Sequence, residues 1–266
     1  NHCWSESHRI HFQEDLGVKA TFLVFVTIIL FCGSVALAQT VDELINKNIE
    51  AHGGVEKLKS VNTVKMSGKM SMAGGIEAPF TFQKKRPDKI KIEFVIQGMT
   101  GIQAYDGSTA WTLMPFTGNK DPQKMPEEDR KDIIEQADFD GPLVDYRAKG
   151  NVVEYVGKED VEGTEAHKLK LTLKSGNVRY LFLDPETGLE IKATAMIKRE
   201  GVEASVDSFF GDYKEVDGII FPFVIEQKIQ GQPGPTFSVE KLDLDVDLED
   251  SLFVMPEGKP QTQRSQ

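Results

Sequence analysis

Phe80-Thr-Phe-Gln-Lys-Lys-Arg-Pro-Asp-Lys-Ile-Lys-Ile-Glu-Phe-Val-Ile96 is the stretch that decides the fold. Its second half puts Ile90, Ile92, Phe94 and Ile96 on one face. A period of two with one apolar and one wet face marks an antiparallel strand covered on one side only. The segment around Arg86-Pro87 ends one such strand and begins the next. The same alternation returns in His167-Lys-Leu-Lys-Leu-Thr-Leu-Lys174, and again where Leu242, Leu244, Val246 and Leu248 interleave with Asp243, Asp245, Asp247 and Glu249. Turn signals punctuate these runs at Gly74-Gly75, Asp106-Gly107, Ser175-Gly176, Asp184 to Gly188, Asp217-Gly218 and Pro233-Gly234-Pro235. About ten strands in a meander are expected, forming a barrel or a strongly curved sheet.

Two helices break the pattern. Thr40-Val-Asp-Glu43 is a capping box, with Thr40 as N-cap. Val41, Leu44, Ile45 and Ile49 then recur at helical spacing until Gly53-Gly54 stop the helix. Gly118 to Pro126 reads as a polar loop and 126–138 as a helix, with Pro126 at its first position and acids in its first turn. Ile133, Ile134 and Ala137 form its apolar stripe, and Pro142 to Tyr146 reads as a further short turn.

Upstream, Lys19 precedes the apolar run Phe22–Cys32, which closes on Ala36-Leu37-Ala38. That order is the pattern of a secretory signal peptide, with cleavage expected after Ala38. The run is short for a membrane span of about 20 residues and ends in small residues. Phe31 before Cys32 argues against lipidation. Residues 1–17 are polar and lack an initiator Met, so translation is expected to start at Val18 from a GTG codon; the gene's nucleotides test this. Residues 18–38 then form the signal peptide, 39–258 one domain and 259–266 a loose tail. The 266-residue chain carries a net charge of −11. Removing the leader takes away two of 31 basic and three of 42 acidic residues, which leaves −10. Such a balance disfavours nucleic acid or an anionic membrane as the main partner. Both cysteines, Cys3 and Cys32, lie in the discarded part, so no disulfide supports the domain.

Few residues suggest chemistry. His52 and His167 are the only histidines past the leader, one at a helix end and one on a wet strand face. Neither has partners placeable for acid–base work, and no hydrolase, zinc-protease or phosphate-loop motif occurs. The row Asp243, Asp245, Asp247, Glu249 lacks the glycine of a calcium loop and reads as a solvated strand face. Met66, Met70, Met72 and Met114 read as core or gap-fillers that would also suit an adaptable apolar surface. No catalytic residue, metal or cofactor is expected.

Three motifs in order carry a resemblance. They are Lys85-Arg86-Pro87 with Ile90, Asp106-Gly107-Ser-Thr-Ala-Trp111-Thr-Leu-Met-Pro115, and Ser251-Leu-Phe-Val-Met-Pro-Glu-Gly258. Together they resemble the LolA-type periplasmic carriers of outer-membrane lipoproteins, although residues 150–215 match only as generic hairpins. The resemblance implies a mainly β (α+β) fold: an unclosed, strongly curved antiparallel β-barrel with helices covering its concave face. It also implies an apolar cup for acyl chains, with Phe80, Phe82, Phe94, Trp111 and Met114 expected to line it. Ile133 and Ile134 are expected on the lid helix. Arg86 matches the family's arginine that latches the empty cup shut; the competing reading is a solvated strand-end residue. The implied function is a monomeric periplasmic carrier of lipoprotein or lipid acyl chains, working with inner- and outer-membrane transfer proteins. The alternative is a lipid- or lipoprotein-sensing regulatory module of the same fold.

Overall fold

The computed structural model describes residues 41–199 and 202–257. The expected leader and signal peptide, both cysteines, the Thr40 cap, Gly258 and the 259–266 tail lie outside the described residues. Contacts divide the chain between Glu43 and Leu44, and the barrel belongs to the unit that begins at Leu44.

Residues 41–51 are helical (α1), and Gly53 and Gly54 follow with φ of 114° and 85°. A Cβ at Gly53 would lie 2.3 Å from the Gly218 carbonyl oxygen, so the stop needs glycine for space as well as for backbone angle. A short helix α2, Val55–Ser60, leads into the sheet. The first strands are β1 Thr63–Met72, β2 Ile76–Lys85, β3 Lys89–Ile96, β4 Met99–Tyr105, β5 Ala110–Met114 and β6 Asn119–Lys124. After helix α3, Glu127–Ala137, come β7 Val152–Val161, β8 Thr164–Thr172, β9 Val178–Leu183, β10 Glu190–Arg199, β11 Val202–Val216, β12 Ile219–Ile229 and β13 Gln232–Leu244.

All 13 strands form one antiparallel sheet in the order β6-β5-β4-β3-β2-β1-β13-β12-β11-β10-β9-β8-β7. The sheet is unclosed, and β6 and β7 are its two edges. Both edges carry features that discourage pairing with another chain: β6 is polar and contains Pro122, while β7 is charged and breaks register between Tyr155 and Gly157. The segment 119–124, expected from its polarity to be loop, pairs with β5 as a strand, since an edge strand needs no apolar face. The connection between the edges, 125–151, carries α3, which packs against β3, β4, β5 and β10. Those strands stand on opposite arms of the sheet, so α3 spans the concave side.

Several boundaries move by physical necessity. Pro126 is the N-cap of α3, one position before the expected one, with extended ψ of 156°. Ile133 is 3% exposed and buried with Ala137 against Ile90, Tyr105 and Ala110, but Ile134 is 39% exposed. Neighbouring helix positions differ by about 100°, and here the sheet-facing line of α3 runs through Ile133 and Ala137, which leaves Ile134 at its margin. The 242–249 alternation does not remain a strand either. β13 ends at Leu244, Asp245 takes a φ of 50° and accepts the Asn62 N–H, and the chain then crosses to the convex face.

Candidate functional site

Register assigns the faces. Met66 pairs with Phe82, Gly68 with Phe80 and Met70 with Ala78; across the next seam Phe80 pairs with Phe94, Phe82 with Ile92 and Lys84 with Ile90. Ile90 and Phe82 touch α3, so this whole set faces the concave side. Phe80, 8% exposed, meets Phe237 edge-on at 5.5 Å. Phe82 and Phe94 are half-buried beside it, and Phe94 meets Phe116 at 5.8 Å. Met114 shares the phase of Ala110 and Thr112 and is half-buried.

Trp111 corrects the expectation that it lines the cup. It pairs with Ala104, in the phase of Lys91 and Gln83, and is 1% exposed on the convex face. There its indole N–H donates to the Phe253 carbonyl at 2.7 Å. Trp111 and Met114 differ by an odd number of positions, so one regular strand cannot turn both inward. Two motifs that carried the resemblance thus meet as structure: the tryptophan of one is covered by the C-terminal segment of the other.

Beside the aromatic wall, the concave face encloses a cavity of about 480 Å³. It is roofed by Ile49 of α1, His52 just past its end, Leu58 of α2 and the loop 139–144, and floored by Leu181, Phe210 and Phe221 among others. None of the five expected cup residues lines this cavity. The nearest of that phase is Lys84, one step along the row Phe80, Phe82, Lys84. Its position was legible from strand phase; the contributions of His52, Tyr213 and Phe139 were not, because only the tertiary fold brings them together.

Charged groups fasten the roof. Arg86 donates from Nε to the Val61 carbonyl at 2.6 Å and from Nη2 to the Leu58 carbonyl at 3.0 Å. It also grips both oxygens of Asp140, and its guanidinium lies 4.3 Å from the Phe139 ring centre. Arg86 is therefore tied to α2 and to the loop after α3, and is not a solvated strand end. Burial would raise the Asp140 carboxyl, but the bonds and charge of Arg86, helped by Lys149 and Lys59, hold it below the usual carboxylate range. Lys149 binds both oxygens of Asp138 at 2.7 Å and the Gly141 carbonyl at 2.6 Å.

His52 anchors the other edge of the roof. Nδ1 lies 2.8 Å from the Ile220 carbonyl and Nε2 2.7 Å from a Glu190 carboxylate oxygen. With Glu190 ionised both partners are acceptors, so the imidazolium form of the ring can donate to both. Burial pulls the His52 value down, but Glu190 and the Ile220 carbonyl outweigh it and raise it overall. Burial likewise pushes Glu190 up, yet His52 and Asn48 hold it below the ordinary value. Asn48 also donates to the Gly188 carbonyl at 2.9 Å, which seats α1 on the β9–β10 turn. With both nitrogens engaged, His52 has no free site for proton transfer. Among the described residues no cluster of His, Cys, Asp and Glu is placed to hold a metal, and no helix is long and apolar enough to cross a membrane.

The two ends of the sheet differ. Strands alternate in direction, so the turns beside Arg86 fall at one end, and each holds an acid: Asp88, Asp106, Glu162, Asp184 and Asp217. At the other end the turns 73–75, 97–98, 115–118 and 230–231 carry no charge, and the β8–β9 turn carries Lys174. Ile76, Met196 and Ile229 stand exposed there.

This geometry defines a LolA-like fold, an open antiparallel barrel with a helix-covered concave face. Solved structures share it. A DUF1329 family protein from Desulfovibrio piger aligns at TM-score 0.55 and 16% identity, over 80% of this chain and 97% of the other. A LolA superfamily protein from Nitrosomonas europaea aligns at 0.53 and 14%, over 80% and 97%. A putative outer membrane lipoprotein-sorting protein domain from Vibrio parahaemolyticus aligns at 0.52 and 12%, over 79% and 97%. No family profile and no curated protein matches the sequence.

Proposed function

We propose that this protein is a periplasmic carrier that shelters the acyl chains of lipoproteins or other lipids and hands them on between membranes. The observation that carries this reading is the continuous concave wall. It runs from half-buried Met72, Ile96 and Phe94 at the end away from Arg86, past Phe80 and Phe82, to a cavity roofed by helices at the other end. Its volume falls within the roughly 300–1,000 Å³ of small-ligand sites. Phe80, Phe82, Phe94 and Met114 form the approach, and acyl chains enter over the apolar hairpins at Ile76 and Ile229. The roof opens when chains displace it, with Arg86 as the latch. The carrier acts as a monomer, and membrane proteins deliver and receive the cargo.

The test is native mass spectrometry of protein purified from its own cell envelope, followed by transfer of any bound lipid to acceptor vesicles. A co-purifying acylated species that moves to the acceptor is the expected result. Protein that emerges empty and takes up no acyl lipid from donor vesicles would end the proposal.

A further inference from the structure

The cavity wall is unevenly charged. Its charged lining consists of His52, Lys84, Asp140, Arg179 and Glu190. Four of these are matched: Asp140 by Arg86, Glu190 by His52, and Arg179 by Glu135 of α3 at 2.7 Å. Lys84 is the exception, with no carboxylate in ion-pairing reach among the described residues. Its ammonium makes one hydrogen bond, to the Asp138 carbonyl at 2.8 Å, and the Asp138 carboxylate is already taken by Lys149. An ammonium has three N–H donors, so two remain for a ligand. Around it stand Arg86 and Lys149 against Asp138 and Asp140, which leaves one positive charge in excess. Burial, the largest influence, and the neighbouring cations outweigh the two carboxylates and push Lys84 down to about 8, the behaviour of a cation short of a counter-charge. Lys84 also sits in the inward phase of an otherwise apolar row, where strand pattern alone would place another Phe or Ile.

We infer that the cavity takes an acyl ligand with an anionic head, a carboxylate or a phosphate, whose charge is met by Lys84. The inference rests on the carrier reading and narrows its cargo. The site is shaped like an amphiphile. The head lies between Lys84 and the 138–141 loop, and the chain runs over Leu181, Phe210 and Phe221 or back along Phe82 and Phe80. A charge-assisted hydrogen bond in a sheltered site favours the ionised ligand by roughly ten- to a hundredfold over a neutral analogue of equal length.

The experiment is calorimetric titration of the full domain with dodecanoate, dodecyl phosphate and dodecanol. Wild type should bind at least one ionised probe tenfold or more tighter than dodecanol, and the preferred probe identifies the head as carboxylate or phosphate. Lys84→Gln keeps a donor for the Asp138 carbonyl but removes the charge, so the ratio of dissociation constants should fall toward one. Lys84→Arg, which keeps the charge, should restore it. Equal affinity of wild type for dodecanol and both anions overturns the anionic head while leaving an acyl carrier standing, and this result needs no variant. A ratio that survives in Lys84→Gln assigns the preference elsewhere and also overturns the inference. If no probe binds wild type, the carrier reading falls, and this inference falls with it.

Discussion

Replacing Arg86 with leucine is the sharpest test of the roof as a latch. The substitution removes two bonds to Asp140 and two to the Leu58 and Val61 carbonyls, and it strands Asp140 in a partly buried site. The two side chains are 24% and 16% exposed, so solvent screens the pair only weakly. Breaking such a pair by removing one partner costs about 3–5 kcal/mol. At about 1.4 kcal/mol per factor of ten, the balance between closed and open roof should move by roughly two to three and a half decades. The direct readout is hydrogen exchange at the amides the loop protects: Gly141, Tyr146, Lys149 and Asn151 donate to the carbonyls of Asp138, Leu143, Asp145 and Tyr146. Their protection should fall by a comparable factor while β8 and β9 stay protected. Acyl probes should bind at least as tightly as in wild type, and transfer to acceptor vesicles should slow because release requires closure. Arg86→Lys should show a partial form of this, since an ammonium lacks the planar fork that reaches several acceptors at once. Unchanged protection and unchanged transfer in Arg86→Leu would refute the latch.

Other outcomes follow from particular contacts. Trp111→Phe removes the bond to Phe253 and part of a convex-side core, so urea unfolding should show a loss of about 1–3 kcal/mol with ligand affinity unchanged; lost affinity at full stability would return Trp111 to the cup. The pair His52–Glu190 should make stability depend on pH. The raised His52 value contributes fully below the unfolded value of about 6.5 and is lost as pH rises through the folded value, and the lowered Glu190 value contributes above about 4.3 and is lost as pH falls through its own. The Tm gap between wild type and His52→Gln should therefore be widest near about pH 5.5 and shrink towards alkaline pH, and a flat difference would refute the charged pair. Gly68→Ala puts a Cβ 2.0 Å from the Ser238 carbonyl oxygen at the β1–β13 irregularity, and should destabilise by about 1–3 kcal/mol in thermal melts. Gly211→Ala, which meets nothing within 4 Å, should be nearly silent in the same melts.

Strand phase made the wall legible and hid the roof. Alternation in 80–96 puts Phe80 and Phe82 in one phase and Ile90, Ile92 and Phe94 in one phase, and the register sets Phe80 opposite Phe94 and Phe82 opposite Ile92. Motif and strand phase point opposite ways at one residue of β5. Trp111 was drawn inward by its place in a motif, although its odd position relative to Met114 sends it out. The stop of α1 was visible from Gly53-Gly54, and α3 from its acidic first turn and apolar spacing. The cavity was not visible, because its lining is assembled from α1, α2, 139–144, β9, β11 and β12. His52 and Glu190 are 138 positions apart, and no local pattern announces that they meet. The acidic row from Asp243 to Glu249 misled for a related reason: alternation continues past Leu244, but backbone turning at Asp245 is decided by the Asn62 amide waiting across the sheet.

The energetics suggest why a carrier would leave this sheet open and close it with a few charges. A barrel zipped shut between β6 and β7 would need a whole ladder of backbone hydrogen bonds broken at once to admit a ligand, with the edge groups then left to find water. Here β6 and β7 are not paired with each other, and the cover is held by the hydrogen bonds and ion pair of Arg86 to Val61, Leu58 and Asp140. Burying a methylene contributes about 0.8 kcal/mol, so each further carbon of a bound chain weighs against the latch. On the carrier reading, a long chain would therefore bias the roof towards opening more strongly than a short acid. Selection for long chains would then come from the latch and selection among heads from Lys84. The two devices sit on neighbouring residues of one strand end, Lys84 facing the cavity and Arg86 the roof, so cargo that engages one lies beside the other.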